Sequence, residues 1–121
     1  MANPNLVNVT DIKGKSIQAA LTSTLTTQIL LAAAETVVKI NSIIICNTNA
    51  SATIVASVAV TKSGGSPLLI ASTVDIPADS TLIVLDKNSM IYLEEGDNIE
   101  AGTASGGDAV ITIGYEVLND A

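Results

Sequence analysis

The chain has 121 residues, 48% hydrophobic and 14% charged, a composition that excludes a disordered segment and leaves room for one domain. Twelve carboxylates stand against five lysines, with no arginine and no histidine, for a net charge of −7. That balance excludes a nucleic-acid partner, which needs a basic face, and it excludes His-dependent zinc sites, catalytic triads and haem ligation. Trp and Phe are absent and the aromatics are Tyr92 and Tyr115, so the core must be built from Val, Ile, Leu and Ala. A mean hydropathy of +0.51 with so few charges points to apolar surface buried against other chains.

Taken in chain order, the first residues, MANPNLVNVTDIKGK, lack the basic flank and apolar run of a signal peptide. Residues 1–11 combine Pro4 and three asparagines with the apolar trio Leu6, Val7 and Val9, which predicts an extended N-terminal arm or short edge strand. From Ile17 to Leu31 the chain is Thr-rich, with Leu21, Leu25 and Ile29 on one strand face; a short helical turn competes over Ser16–Leu21. Ile29–Glu35 reads as a loop or a single turn, because Ala32-Ala33-Ala34 is too short to hold a helix. Ile29–Ala34 is also the longest uninterrupted apolar run, far below the roughly 20 residues of a spanning helix. The expectation is a soluble chain with no membrane partner.

Thr36–Cys46 and Thr53–Thr61 are strand patterns, expected to pair through the turn formers Asn47-Thr48-Asn49-Ala50-Ser51. In the second, Ile54, Ala56, Val58 and Val60 point one way and Val55, Ser57 and Ala59 the other. Lys62–Ser66 is a Gly-containing loop, and Pro67 opens a strand over Leu68–Ile76. Thr81–Leu85, Met90–Leu93 and Asn98–Thr103 follow, with Gly96 placed for a left-handed residue in a hairpin or bulge. The last strand, Ala109–Leu118, sets Ala109, Ile111, Ile113, Tyr115 and Val117 against Val110, Thr112, Gly114, Glu116 and Leu118. Short strands about ten residues apart predict an all-β fold: a single antiparallel β-sandwich, jelly-roll-like, of about eight short strands over residues 12–121.

Few residues could carry chemistry. Cys46, the single cysteine, follows Ile43-Ile44-Ile45 and reads as buried packing. Gly64-Gly65 and Gly106-Gly107 are not phosphate loops, since neither precedes Lys-Ser/Thr at a helix start. Glu94, Glu95, Asp97, Glu100 and Asp108 are either hard oxygen ligands for Ca²⁺ between two loops or solvated turn residues. The spacing of a dedicated calcium loop is missing, which favours turn residues. Glycosidase chemistry from the same acids lacks the aromatic walls of a sugar cleft, and sugar stacking has only Tyr92 and Tyr115 to use. Asn8-Val9-Thr10 and Asn49-Ala50-Ser51 match the glycosylation pattern by chance where no secretory signal exists. No catalytic residue, cofactor site or metal site is assigned, and the expectation is a non-enzymatic protein.

Two stretches carry a resemblance: Val37-Val38-Lys39-Ile40-Asn41-Ser42-Ile43-Ile44-Ile45-Cys46-Asn47 with its Val-rich continuation, and Ile91-Tyr92-Leu93-Glu94-Glu95-Gly96-Asp97-Asn98-Ile99-Glu100-Ala101 followed by Ile111-Thr112-Ile113-Gly114-Tyr115-Glu116. Over residues 36–118 the chain resembles small β-sandwich structural proteins of tailed bacteriophages, with wording similar to virion proteins of phages infecting cyanobacteria. The resemblance implies a virion protein, assembled in the host cytoplasm. Its implied role is capsid decoration or cement, with neck, tail or fibre as the alternative and a carbohydrate-binding jelly roll further off. The implied partners are the major capsid protein or other virion proteins, together with further copies of the chain in a homo-oligomer. The residues expected to make subunit contacts are Asn5, Leu6, Val7 and Val9, in an arm that docks on a neighbour's sheet edge.

Overall fold

A computed structural model describes residues 11–21, 28–86, 88–89, 91–103 and 109–119. These residues form nine strands and no helix: β1 (Asp11–Ala20), β2 (Gln28–Leu31), β3 (Thr36–Asn47), β4 (Ile54–Thr61), β5 (Leu68–Ile76), β6 (Thr81–Leu85), β7 (Ile91–Leu93), β8 (Asn98–Thr103) and β9 (Ala109–Asn119). One antiparallel sheet has the order β1-β9-β3-β6, with β7 also paired to β3, and the other runs β2-β8-β4-β5. The pairing is nested, β1 with β9, β2 with β8, β3 with β6 and β4 with β5. A ribbon doubled back on itself and rolled into two layers has this pattern, and the fold is a jelly-roll sandwich.

Period-two alternation gives each sheet one apolar face, and the two faces meet. Ile40, Ile43, Ile45, Leu93, Ile111 and Ile113 from the first sheet pack with Ile54, Ala56, Val58, Ile99 and Ala101 from the second, none more than 3% exposed. Inward positions on β3 change phase, from Val38 and Ile40 to Ile43 and Ile45. The cause is a bulge between Ile40 and Ser42 against β9, where Asn41 is the extra residue and donates its Nδ2 to Glu116 Oε1 at 3.1 Å.

Several expectations change. β3 and β4 do not pair: they lie in opposite sheets, and residues 48–53 bridge the layers. Alternation reports which face of a strand is apolar but not which strand lies beside it. Here the two apolar faces are buried against each other rather than aligned in one sheet. For the same reason residues 94–97 form no hairpin, because β7 belongs to the first sheet and β8 to the second. The run from Ile17 to Leu31 is likewise not one strand. Strand β1 starts earlier, at Asp11, and pairs residue for residue with β9 up to Ala20, so Ser16–Ala20 is strand and not helix. Ile29–Leu31 belongs to β2, and the turn follows at Ala34–Glu35. Lys13 and Lys15 are tolerated in β1 because an edge strand leaves charged side chains in water. Alternation also turns Cys46 outward beside Val110 and Thr81, where it is part-buried rather than a core residue. Leu25, Met90, the 105–108 turn and the arm residues Asn5, Leu6, Val7 and Val9 lie outside the described residues.

Candidate functional site

Three connections meet at one end of the sandwich: residues 32–35, 62–67 and 94–97. The backbone ties the first to the third, with Ala32 N donating to Asp97 O at 2.9 Å and Gly96 N to Ala32 O at 3.0 Å. Asp97 joins all the rest. Its side chain is 3% exposed and accepts from Lys62 Nζ at 2.6 Å, Ser63 N at 2.9 Å and Glu94 N at 3.0 Å. Lys62 also reaches Glu94 Oε2 at 3.3 Å, and the Glu95 carboxylate accepts from Glu35 N. Burial by itself would raise the Asp97 pKa; the bonds from Lys62, Ser63 and Glu94 outweigh it and hold the carboxyl below its ordinary value. Lys62 is correspondingly raised, chiefly by its hydrogen bond to Asp97. Gly96 is required here on two counts. Its φ is +86°, and a Cβ would lie 2.8 Å from Ser63 Oγ.

At the opposite end Asn47 does comparable work. The side chain is fully buried, its Nδ2 donating to Ala52 O (2.9 Å), Ile76 O (2.9 Å) and Pro77 O (3.1 Å) while its Oδ1 accepts from Asn49 N at 2.8 Å. With Asn47 N bonded to Ser80 O at 2.8 Å, one residue clamps the β3–β4 crossing to the β5–β6 crossing. Asn49 closes the turn, its Oδ1 accepting from Ser51 N and Ala52 N.

This geometry assigns the acidic residues individually. Asp97 is neither a solvated turn residue nor a vacant ligand, since both oxygens are taken by an ammonium and two amides. Glu94 is about half exposed. Glu100 lies on β8, and Asp108 is outside the described residues. Among the described residues no three His, Cys, Asp or Glu side chains are grouped to hold a metal ion. Sequence reasoning missed Lys62 as Asp97's partner and Asn47 as a clamp; the Asp97 turn and Asn47 carried only a turn signal.

A shallow depression of about 420 Å³ on the outer face of the first sheet is lined by residues including Ser16, Asn41, Gly114 and Glu116. Tyr92 is exposed, whereas Tyr115 is part-buried and packs against the core. Large apolar side chains stand in solvent, foremost Leu68 (70% exposed), Leu69 (49%) and Ile70 (42%) in succession on the edge strand β5. No described helix is long and apolar enough to cross a membrane.

Fold and surface together define an all-β jelly-roll protein whose described polar groups chiefly tie its own loops. No protein-family model and no curated protein sequence matches the chain. Among solved structures it is similar to a pentameric capsid protein isolated from metagenomic phage sequences, with TM-score 0.42, 19% identity, and coverage of 87% of this chain and 64% of that one. The chain thus spans less than two-thirds of that capsid protein's length. It is also similar to the CBM22-1 xylan-binding domain of Paenibacillus barcinonensis Xyn10C, with TM-score 0.36, 12% identity, and coverage of 93% and 84% of the two chains.

Proposed function

We propose that this chain is a non-enzymatic structural subunit of a bacteriophage virion, a capsid decoration or cement protein that stabilises the head by protein–protein contacts. The observation that carries the contact role is the succession Leu68-Leu69-Ile70 exposed on a sheet edge. A sheet edge with three consecutive bare aliphatic side chains is a liability for a free monomer and a contact surface for an assembled one. The phage setting rests on the sequence resemblance of residues 36–118. Partners on this reading are the major capsid protein and further copies of the chain, with the arm residues Asn5, Leu6, Val7 and Val9 reaching the neighbour. A neck, tail or fibre subunit would use the same surface.

The test is mass spectrometry of purified particles of the phage that encodes the chain, with its copy number measured against the major capsid protein. Decoration predicts a copy number comparable with that of the major capsid protein or its capsomers. A handful of copies per particle would move the protein to the neck or tail, and absence from the particle would end the virion reading.

A further inference from the structure

Among the described strands, β1 differs from every other sheet edge. β2 has four residues and β7 three. β5 has register breaks against β4 on both sides of Val58, with Thr73 at φ 47°, and β6 has five residues and a break beside Ile43. Short or bulged edges resist further pairing. β1 pairs with β9 without a break from Asp11 to Ala20, a run of about 34 Å. It also stands open to solvent. Ile12 to Ser16, Gln18 and Ala20 are exposed, and a Cβ at Gly14 would meet no atom within 4 Å.

The β1–β9 ladder fixes which backbone groups face the open side. Leu21 N donates to Ala109 O at 2.8 Å, one step beyond the Ala20–Val110 pair. In an antiparallel ladder, hydrogen-bonded pairs alternate with non-bonded ones. Asp11, Lys13, Lys15, Ile17 and Ala19 therefore direct their N–H and C=O groups to β9. Ile12, Gly14, Ser16, Gln18 and Ala20 turn theirs to the free edge.

We infer that β1 pairs antiparallel with β1 of a second copy of the chain across a two-fold axis at Ser16, joining the two first sheets into one. This rests on the assembly role proposed above and names a surface for it. Ser16 is the midpoint of the span from Asp11 to Leu21 that is laddered to β9. With the axis there, Ile12 lies opposite the second copy's Ala20, Gly14 opposite its Gln18, and Ser16 opposite Ser16. Every outward-facing residue then exchanges both backbone bonds with its opposite number, about ten bonds in all. The edge is used along its whole length, so the pairing closes at two copies.

Lysine on an edge ordinarily discourages pairing, but here it selects the register. An axis at Lys15 would set Lys15 directly against Lys15, and an axis at Gly14 would set Lys13 against Lys15 twice; like charges directly opposite are destabilising. An axis at Ile17 would leave Ile12 with no opposite number in β1. The axis at Ser16 places Lys15 opposite Ile17 and Lys13 opposite Ala19. Their aliphatic stems can lie along those apolar neighbours with the ammonium groups in water.

The experiment uses the full-length chain. Sedimentation equilibrium at tens of micromolar is expected to show an even-numbered assembly, a dimer at the least. Ser16→Lys, at an exposed position, sets two ammonium groups face to face on the axis and should weaken the pairing at least tenfold with an unchanged circular dichroism spectrum. Ser16→Pro removes an N–H that β9 does not use and should do the same. In a Cys46→Ser background, Ser16→Cys should oxidise to a disulfide-linked dimer, its opposite Cα lying about 5.5 Å away. Gly14→Cys and Gln18→Cys should link to each other on mixing at least tenfold more than either links to itself, since each lies about 14 Å from its own counterpart. A full-length protein that is monomeric or odd-numbered overturns the inference, as does an assembly that Ser16→Lys leaves intact. Self-links of Gly14→Cys or Gln18→Cys as abundant as the mixed link also overturn it. The assembly reading is judged separately, because wild-type copies counted in purified particles do not depend on the cross-link.

Discussion

Replacing Asp97 by alanine strips three donors of their shared acceptor, and the cost follows from where each donor sits. The amides of Ser63 and Glu94 face a side chain that is 3% exposed. Each loses its partner in a part-buried position, at about 1–2 kcal/mol apiece. Lys62 is more than half exposed and turns to water, so its share is small, about 0–1 kcal/mol. A loss near 3 kcal/mol is expected, which for a domain of this size lowers Tm by about 10–15 °C. Asp97→Asn keeps one acceptor oxygen and the shape, and should lose about half as much. Urea unfolding with an unchanged slope measures both. An alanine variant within about 0.5 kcal/mol of wild type would show that the three loops hold together without the carboxylate, refuting the reasoning. The pH dependence adds a signed check. Because the folded pKa of Asp97 is depressed, its contribution is complete above the unfolded value of about 4 and disappears as pH falls through the folded value. Wild type must lose its advantage over Asp97→Asn below about pH 4. Lys62, raised in the folded state, contributes below its unfolded value of about 10.4 and loses that contribution as pH rises through the folded one.

Three further substitutions probe other parts of the fold. Asn47→Ala leaves the carbonyls of Ala52, Ile76 and Pro77 without their side-chain donor, and should cost about 2–4 kcal/mol in the same urea assay. Gly96→Ala forces a Cβ against Ser63 at a left-handed φ and should cost about 1–3 kcal/mol, with amide exchange accelerating first in residues 62–66 and 94–97. Thr103→Val removes a core-facing hydroxyl that has no partner while keeping the branched shape, and should raise stability by about 1 kcal/mol; a loss would mean that the hydroxyl is satisfied.

Strand positions from Thr36 onward are legible in the sequence because alternation is a local property. Val110/Ile111 and Val55/Ala56 face opposite ways whatever lies beside them. The early strands are less legible, since Lys13, Gly14 and Lys15 interrupt the apolar alternation at the start of an edge strand. The acidic loop is legible as a turn and no more. Lys62 and Asp97 are 35 positions apart, and nothing in their spacing announces an ion pair.

Composition and periodicity alone therefore determine an all-β, aromatic-poor sandwich with apolar faces at Ile54, Ala56, Val58, Ile111 and Ile113, whereas the bulge that turns Ile43 and Ile45 inward arises only against β9. Partnership was decided only in three dimensions. Strands β3 and β4 carry the same alternation whether they pair as a hairpin or face each other across the core, and Asn47 and Asp97 are ordinary turn residues until distant crossings close over them. The physical reason is that a side chain's facing depends on its own strand, whereas its burial and its hydrogen-bond partners depend on segments tens of residues away that only the rolled sandwich brings together.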